Sequence, residues 1–436
     1  MNVTENSARA SYPSMARARY AQFVLAGLAL FSTMDMLVTG LLIEPIKQEL
    51  ALTDFQVGLT QATAYYAAYG LLAVPMGILA DRCVRVRLLI VAMVLMPGGL
   101  LITALSHEVW TLAAAKALMG VASAIIYPAA MSLLADYFAP DHRAFATASY
   151  PIGQDLGQVG ALLVGGLGYS ALVDMVAADP TALGGLSPWR AVSLIFVGLG
   201  LLLIPLLIGM REPARMEVQN RDKGSFGALW EYRAFLLALF AGIMFLALVA
   251  SAVRTWALAA LIRLYALQPG DFAVVSSGIV LVAGITGLLL GSRLINLARA
   301  SGDDRKMIFP AVVASALCAP TAFMATMPDA LWFAVFAALF LLVASVAIAV
   351  PVISISFRIP NELRGLCVGL YVVLVALAGM VGAPLVGALS TAMGGDMMLG
   401  WAIAAVGAPA SLLAAFSLWF ASRAPAKTSI PMMIGT

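Results

Sequence analysis

Long apolar runs of the sequence are interrupted by four ionisable residues: Asp35, Lys116, Asp155 and Arg254. An ionisable side chain at membrane depth is costly, so it usually faces a cavity or a partner. Burial disfavours an ionised carboxylate, whereas a nearby cation favours it. We therefore expect Asp35 to bind and release a proton, with Lys116 as its partner. The alternative is a fixed structural ion pair between these two side chains.

The other candidates for contact with a substrate are polar and aromatic. Arg254 would favour an anionic head group if it faces the cavity, because its planar guanidinium matches a carboxylate or a phosphate. Asp155 is expected to contact either the substrate or Arg254. Helical spacing brings Gln61, Tyr65 and Tyr69 to one side of the second apolar run, where they line a cavity or serve helix packing. The remaining predicted substrate-binding residues are Tyr127 and Gln154.

A short charged loop, with the sequence GILADRCVRVR from Gly77 to Arg87, joins the second and third apolar runs. We expect Asp81 to accept hydrogen bonds from a helix N-terminus in the second half of the chain, near Arg364, where the helix dipole favours a carboxylate. Arg85 is expected to bridge toward Asp136. Together these contacts would form a conformational latch, whereas a simple topology anchor is the alternative. The predicted latch residues are Gly77, Asp81, Arg82, Arg85, Asp136 and Arg364.

The composition identifies the elements that must position these residues. Of the 436 residues, 62% are hydrophobic and only 11% are charged, whereas about a quarter are charged in a soluble protein. Most of the chain therefore needs a bilayer as its solvent. Backbone groups in lipid must be satisfied internally, and the apolar runs are too long for barrel strands, so we predict an all-α membrane protein. The twelve predicted spans are 20–43, 56–80, 88–106, 110–138, 144–172, 190–210, 233–262, 271–298, 307–327, 329–357, 363–392 and 397–422.

Basic residues predict the orientation, because short cytoplasmic loops carry an excess of Lys and Arg. With both termini in the cytoplasm, all but five of the 25 Lys and Arg residues lie at the cytoplasmic face. Those five are Lys47, Lys116, Arg190, Arg254 and Arg263. We therefore predict a multi-pass protein of the inner (plasma) membrane with both termini in the cytoplasm.

The longest polar segment divides the chain into two halves of six spans each. The predicted divisions are a cytoplasmic tail at 1–19, a six-helix bundle at 20–210, a cytoplasmic linker at 211–232, a second six-helix bundle at 233–422 and a cytoplasmic tail at 423–436. A degraded copy of the charged loop, from Ser292 to Asn296, occurs at the matching place in the second half. Repeated halves are typical of transporters whose substrate site lies between them near the bilayer midplane.

The charged loop and the six-plus-six layout resemble the major facilitator superfamily over the full chain. The family's loop between its second and third spans reads Gly-x-Leu-x-Asp-Arg-x-x-Arg-x-Arg/Lys, and the resemblance implies transport by two rocking bundles. Shorter matches resemble the Spinster branch, whose members are lysolipid and sphingolipid-type exporters. These matches are Phe31–Asp35, Gly58–Gln61, Ala135–Phe138, Trp189–Arg190, Arg211–Pro213 and Trp256–Arg263.

The chain departs from the Spinster branch at three places. Lys116 stands where the branch usually has arginine. The tripeptide Val121-Ala122-Ser123 replaces Gly-Glu-Ala, so an acidic group is missing. The pair Gln154-Asp155 replaces small residues. The resemblance therefore implies transport but does not identify a lipid as the substrate.

These features predict a secondary transporter of an amphipathic or anionic organic solute, with a lysolipid-like molecule among the candidates, driven by protons through alternating access. Uptake of a small organic acid with protons is the alternative. A membrane-embedded transferase is less favoured because His107 and His142 form no His/Asp set, and a channel because no filter loop or ring of like charge is present. No P-loop for ATP appears in the sequence. We expect no enzyme activity, cofactor, metal or nucleic acid, and we expect a monomer in the lipid bilayer.

Overall fold

A computed structural model describes residues 12–215, 226–300 and 304–424, and their regular structure is helical. Twelve of the helices are long and apolar enough to cross a membrane, which confirms the predicted all-α membrane class and its twelve spans. Their ends lie within a few residues of the predicted ends, except that the fifth extends further at both. The predictions for 1–11, 216–225 and 425–436 lie outside the described residues.

We number the membrane helices in chain order. The first half contains α1 (Met15–Leu41), α2 (Asp54–Arg82), α3 (Arg85–Leu105), α4 (Val109–Tyr137), α5 (Pro140–Ala178) and α6 (Pro188–Ile208). The second half contains α7 (Arg233–Tyr265), α8 (Pro269–Ala298), α9 (Phe309–Thr326), α10 (Ala330–Ile355), α11 (Leu363–Ala392) and α12 (Asp396–Arg423). A short helix, Ile43–Glu49, lies between α1 and α2.

Local chemistry decides where individual helices begin. At the start of α2, the Thr53 hydroxyl accepts a hydrogen bond from the Gln56 N–H, and the Gln56 side chain accepts one from the Thr53 N–H. This reciprocal capping satisfies two N–H groups that a helix start otherwise leaves unpaired. Asp329 caps α10 in a similar way by accepting from the Trp332 N–H at 2.9 Å. Polar capping residues thus mark the positions where these loops end and the apolar helices begin.

Two membrane helices contain π-helical turns, at Leu59–Ala64 in α2 and at Ala161–Leu167 in α5. A π-helical turn inserts one extra residue per turn and is often found at functional sites. The turn in α2 contains Gln61 and immediately precedes Tyr65. Gln61 and Tyr65 therefore lie at a place where the regular spacing of α2 is interrupted.

Close helix packing in the first half depends on small residues of α5. A Cβ atom on Gly157 would lie 2.2 Å from the carbonyl oxygen of Leu30, and one on Gly153 would lie 2.4 Å from that of Ala26. The two glycines are four residues apart, so they share one face of α5. Their missing side chains allow α5 to approach the backbone of α1 directly, which helps to hold Asp35 in the interior.

The two halves touch on one side of the molecule and separate on the other. We call the side with Met15, Arg82 and Arg423 the basic face, and the side with Lys47 and Asp396 the opposite face.

Helices α2 and α11 show this divergence directly. Toward the opposite face, a Cβ on Gly58 would lie 2.5 Å from Pro384. Near the middle, the Thr63 hydroxyl donates to the carbonyl of Met380 at 2.7 Å. Toward the basic face, a Cβ on Gly77 or Gly365 would meet no atom within 4 Å. The space between the halves is therefore open at the basic face and closed at the opposite face.

The contact of Gly157 with α1 makes a testable prediction about stability. Gly157→Ala should destabilise the protein by about 1–3 kcal/mol, because the added methyl group overpacks a backbone contact. The measurement is thermal unfolding of the purified protein in detergent. The matched control is Gly168→Ala on the same helix, where a Cβ would meet no atom within 4 Å. Equal melting temperatures for the two variants would contradict the proposed packing role.

Candidate functional site

A cavity in the interior brings together most of the ionisable residues that the sequence analysis singled out. Asp35 of α1, Lys116 of α4 and Arg254 of α7 line this cavity with Gln61 and Tyr65 of α2. Asp35 is 1% exposed and Lys116 is 3% exposed. The other lining residues are Ser32, Met36, Gly40, Ile43, Met119, Ser123 and Thr255. Both halves of the chain therefore contribute polar groups to one central cavity.

The charges in this cavity face one another without direct pairing. Asp35 and Lys116 make no ion pair within 4.0 Å, and Oδ1 of Asp35 has no hydrogen-bond partner among the described residues. Their interaction is electrostatic and acts across the cavity. The guanidinium of Arg254 contacts the Met36 sulfur at 3.3 Å. A fixed ion pair between Asp35 and Lys116, one of the two alternatives, is therefore absent from this conformation.

Tyrosine side chains line the path from this cavity toward the basic face. Tyr65 stacks on Tyr69 with ring centroids 6.2 Å apart, and Tyr127 meets Tyr150 edge-on at 5.5 Å. Tyr127 is 53% exposed, and its hydroxyl is close enough to interact electrostatically with Tyr69, Tyr150 and Tyr371. Tyr371 comes from α11, so this aromatic lining joins both halves. Tyr69 and Tyr127 thus belong to the opening of the cavity and not to its charged end.

Asp155 and Arg254 do not pair in this conformation, and a contact between Asp155 and the substrate stays a prediction. Asp155 is half-buried, and its Oδ1 accepts a hydrogen bond from Gln158 on the same helix at 3.4 Å. Gly153 faces α1, and a position two residues further along a helix is turned by about 200°. Asp155 therefore points away from α1, and it is not among the residues that line the cavity with Arg254. Gln154 is also half-buried on α5 and is not among the residues that line that cavity.

Arg85 makes the contact that was expected of it. Its side chain is 1% exposed and forms a short ion pair with Asp136. It also donates to the Ser132 hydroxyl at 2.8 Å and to Glu212 at 2.7 Å. Glu212 in turn accepts from the Val86 N–H at 3.1 Å. All three partners of Arg85 lie in the first half or directly after it, so this cluster stabilises one bundle. A role in switching conformation stays a prediction.

Asp81 is not brought to the second half in this conformation. Asp81 and Arg82 are exposed, and Asp81 makes no hydrogen bond or ion pair with the described part of the chain. Arg364 donates to the carbonyl of Ile359 at 3.5 Å within its own half. The physical reason is the divergence of α2 and α11 toward the basic face. The latch contact expected for Asp81 therefore needs a conformation in which that face is closed.

The sequence analysis missed a cluster of charges at the opposite face. Arg263 pairs with Glu44 at 2.5 Å and with Asp54 at 2.8 Å. Lys47 pairs with Asp54 at 2.8 Å and with Asp396 at 2.6 Å. The available signal was that Lys47 and Arg263 are basic residues outside the predicted cytoplasmic loops. The pairs that join the two halves connect residues more than 200 positions apart, so spacing alone did not reveal the cluster.

Glu49, on the same short helix as Glu44, has partners only in the first half. Arg190 donates to it at 2.9 Å and Trp189 at 2.5 Å, and the Ser187 hydroxyl forms a third, short hydrogen bond. Partial burial alone would raise the pKa of the Glu49 carboxyl. The hydrogen bonds from these donors outweigh this effect, so the pKa is lowered. The sequence Trp189-Arg190 is therefore explained by packing and pairing within one bundle.

Comparisons with known sequences agree with this architecture. Residues 24–351 match the profile described as Major Facilitator Superfamily. A protein described as "MFS-type efflux pump" from Mycolicibacterium smegmatis is 25% identical over 415 residues, which cover 93% of each chain. The "Uncharacterized MFS-type transporter EfpA" of Mycobacterium tuberculosis is 30% identical over 224 residues, which cover 51% of this chain and 38% of that protein.

Solved structures share the fold at low sequence identity. A bacterial homologue of the human lysosomal transporter Spinster, in an inward-facing and unoccupied conformation, has a TM-score of 0.75 and 20% identity. The match covers 94% of this chain and 98% of that chain. The nucleoside transporter NupG has a TM-score of 0.68 and 15% identity over 92% of this chain and 98% of that chain. At these identities the likeness supports the fold alone.

The cluster around Arg85 makes a testable prediction. Arg85→Gln should destabilise the protein by about 3–5 kcal/mol, because it leaves buried carboxylates without their cation. Thermal unfolding in detergent measures this loss. Arg87→Gln is the matched control, since Arg87 is exposed on the same turn and its loss should change stability by less than about 0.5 kcal/mol. If Arg85→Gln unfolded at the same temperature as the control, the cluster would not stabilise the bundle.

Proposed function

Because the chain belongs to the major facilitator superfamily and is an integral multi-pass secondary transporter, we propose that it moves an amphipathic or anionic organic solute by alternating access coupled to protons. The single observation that carries this proposal is the central cavity. It contains two cations, one unpaired carboxylate and an aromatic opening within one helical transporter fold. The cavity is built within one chain, so a monomer suffices for transport.

The positive-inside rule supports a cytoplasmic location for the basic face and for both termini. The protein then lies in the inner (plasma) membrane, and the present conformation is open to the cytoplasm. The solved Spinster homologue is described as inward-facing, which agrees with this orientation.

Lys116 and Arg254 support an anionic group on the substrate. Arg254 has no carboxylate partner among the described residues and offers a planar set of donors that fits a carboxylate or phosphate. Lys116 lines the same cavity and adds a second positive charge. The tyrosine lining toward the basic face suits the apolar part of an amphipathic molecule, since aromatic rings combine a large apolar surface with a polar tip.

Asp35 supports proton coupling because its carboxylate is buried and lacks a hydrogen-bond partner at Oδ1. An ionised carboxylate in such a site depends on the positive charge of Lys116, and protonation removes that dependence. Movement of the halves changes the water access of both groups. A proton bound to Asp35 on one side would thus be released on the other, together with or in exchange for the substrate.

A small organic acid is the second candidate substrate. The observation that favours it is that Lys116 and Arg254 line the same cavity, which suits a compact anion. Export of an amphipathic anion instead agrees with the aromatic opening and with the efflux pump among the relatives.

Binding of an anion to Arg254 makes a testable prediction. Arg254→Gln should weaken the binding of anionic ligands at least about tenfold, because a hydrogen bond to a charged group contributes about 1.5–3 kcal/mol. Thermal shifts measured at two pH values with an anionic lysophospholipid and with small organic acids test this and identify the ligand class. Arg233→Gln at the exposed start of the same helix is the control. Equal binding by both variants would contradict the proposed anion site.

Proton coupling through Asp35 has its own test in proteoliposomes. Asp35→Asn should abolish substrate accumulation driven by a pH gradient, because an amide does not titrate. The variant should retain exchange of labelled for unlabelled substrate, since that process needs no net proton movement. Accumulation at the wild-type level in the variant would remove Asp35 from the coupling mechanism.

A further inference from the structure

Five charged side chains form a cluster where the two halves meet at the opposite face. The first half contributes Glu44, Lys47 and Asp54, and the second half contributes Arg263 and Asp396. We call these five residues the charge cluster. None of them was assigned a role by the sequence analysis, and the cluster lies at the end of the molecule away from the open cavity.

Arg263 is the centre of the charge cluster. Its Nε and Nη2 donate to Glu44 at 3.1 and 2.5 Å, and its Nη1 and Nη2 donate to Asp54 at 2.8 and 3.0 Å. The side chains of Arg263, Glu44 and Asp54 are only 6%, 6% and 3% exposed. Hydrogen bonds between ionised groups are stronger than neutral ones, and water competes little at such low exposure.

Close backbone packing surrounds the same place. A Cβ on Gly387 of α11 would lie 2.4 Å from the carbonyl oxygen of Asp54, so the halves are in direct contact beneath the charges. Trp256 lies on α7 two helical turns before Arg263. Its indole N–H donates to the carbonyl of Ala383 on α11 at 2.9 Å. Arg263 is therefore held in a fixed position by its own half and reaches across to the other.

The pairs within the charge cluster divide into two kinds. Three pairs cross between the halves: Arg263 with Glu44, Arg263 with Asp54, and Lys47 with Asp396. Two pairs lie within one half: Lys47 with Asp54 at 2.8 Å, and Arg263 with Asp396 at 3.3 Å. If the halves move apart here, the crossing pairs break while each half keeps one ion pair of its own.

Because each half keeps one ion pair of its own, the contact between the halves can break and form again. A buried charge that loses its only partner is strongly destabilising. In the charge cluster Lys47 keeps Asp54 and Arg263 keeps Asp396 after separation, so neither cation is left alone and only Glu44 loses its ion-pair partner. The same arrangement still favours the closed state, because Arg263 makes four hydrogen bonds to Glu44 and Asp54 there.

We propose that Arg263, bound by Glu44 and Asp54, is the lock that keeps the opposite face closed while the cavity is open to the basic face. This inference rests on the proposed alternating access. Each transport cycle must then release Arg263 from the two carboxylates before the opposite face can open.

The test measures the distance between the halves at the opposite face by pulsed electron spin resonance. Spin labels are attached at Ala182→Cys and Pro328→Cys, two exposed loop positions in the first and second halves. The background carries Cys83→Ser, because Cys83 is exposed whereas Cys318 and Cys367 are buried. The full chain is reconstituted in nanodiscs, so no ligand is needed for the measurement.

Arg263→Gln is expected to raise the ratio of open to closed molecules at least about tenfold, because it leaves Glu44 and Asp54 buried together without their shared cation. Asp54→Asn should shift the distances in the same direction by a smaller amount. It serves as the second variant should Arg263→Gln fail to fold.

The matched controls are Arg190→Gln and Glu49→Gln, which remove one side of a comparable pair on the same face within the first half. They are expected to lower the melting temperature without changing the distances. The lock is refuted if Arg263→Gln and Asp54→Asn keep the wild-type distances while a change of pH or of lipid does separate the labels. If no variant or condition separates them, alternating access itself is refuted.

Discussion

Arg85 and Arg263 are both buried arginines that bind two carboxylates, and the location of those carboxylates gives the two residues different consequences. The partners of Arg85 lie in its own bundle or directly after it, so its cluster survives any movement of one half against the other. The two carboxylates that accept hydrogen bonds from Arg263, Glu44 and Asp54, lie in the other bundle, and only its longer ion pair with Asp396 lies in its own. Since a charge left alone away from water is costly, one arginine holds a bundle together and the other holds two bundles together.

The cost of burying a charge without a partner also bears on the central cavity. Asp35 and Lys116 are almost as buried as Arg85 and more buried than Arg263, yet they form no ion pair with each other. Asp35 has a buried oxygen without a hydrogen-bond partner in the described structure, whereas each of the two arginines is fixed by ion pairs with carboxylates. The cavity thus combines reactive charges with a rigid surrounding, because glycine contacts such as Gly157 against Leu30 bring the helix backbones close together.

The molecule is therefore asymmetric between its two faces. At the opposite face, side chains and backbones of α2, α7 and α11 pack directly, as Gly58 against Pro384 and Gly387 against Asp54 show. At the basic face the same helices diverge, and Asp81 and Arg82 are exposed. A charged loop that binds the other half in one conformation and water in another is consistent with the exposure of Asp81 here.

The amino-acid sequence alone determined the membrane class, the twelve spans and the residues whose charge is unusual, because hydrophobic period and helix length are local properties. The sequence analysis also expected Arg85 to bridge toward Asp136, and the structure contains this ion pair. Only the tertiary structure decided that Asp35 and Arg254 line one cavity and that Arg263 meets Glu44. Those outcomes depend on helix rotation and on contacts between residues more than 200 positions apart, which no local pattern specifies.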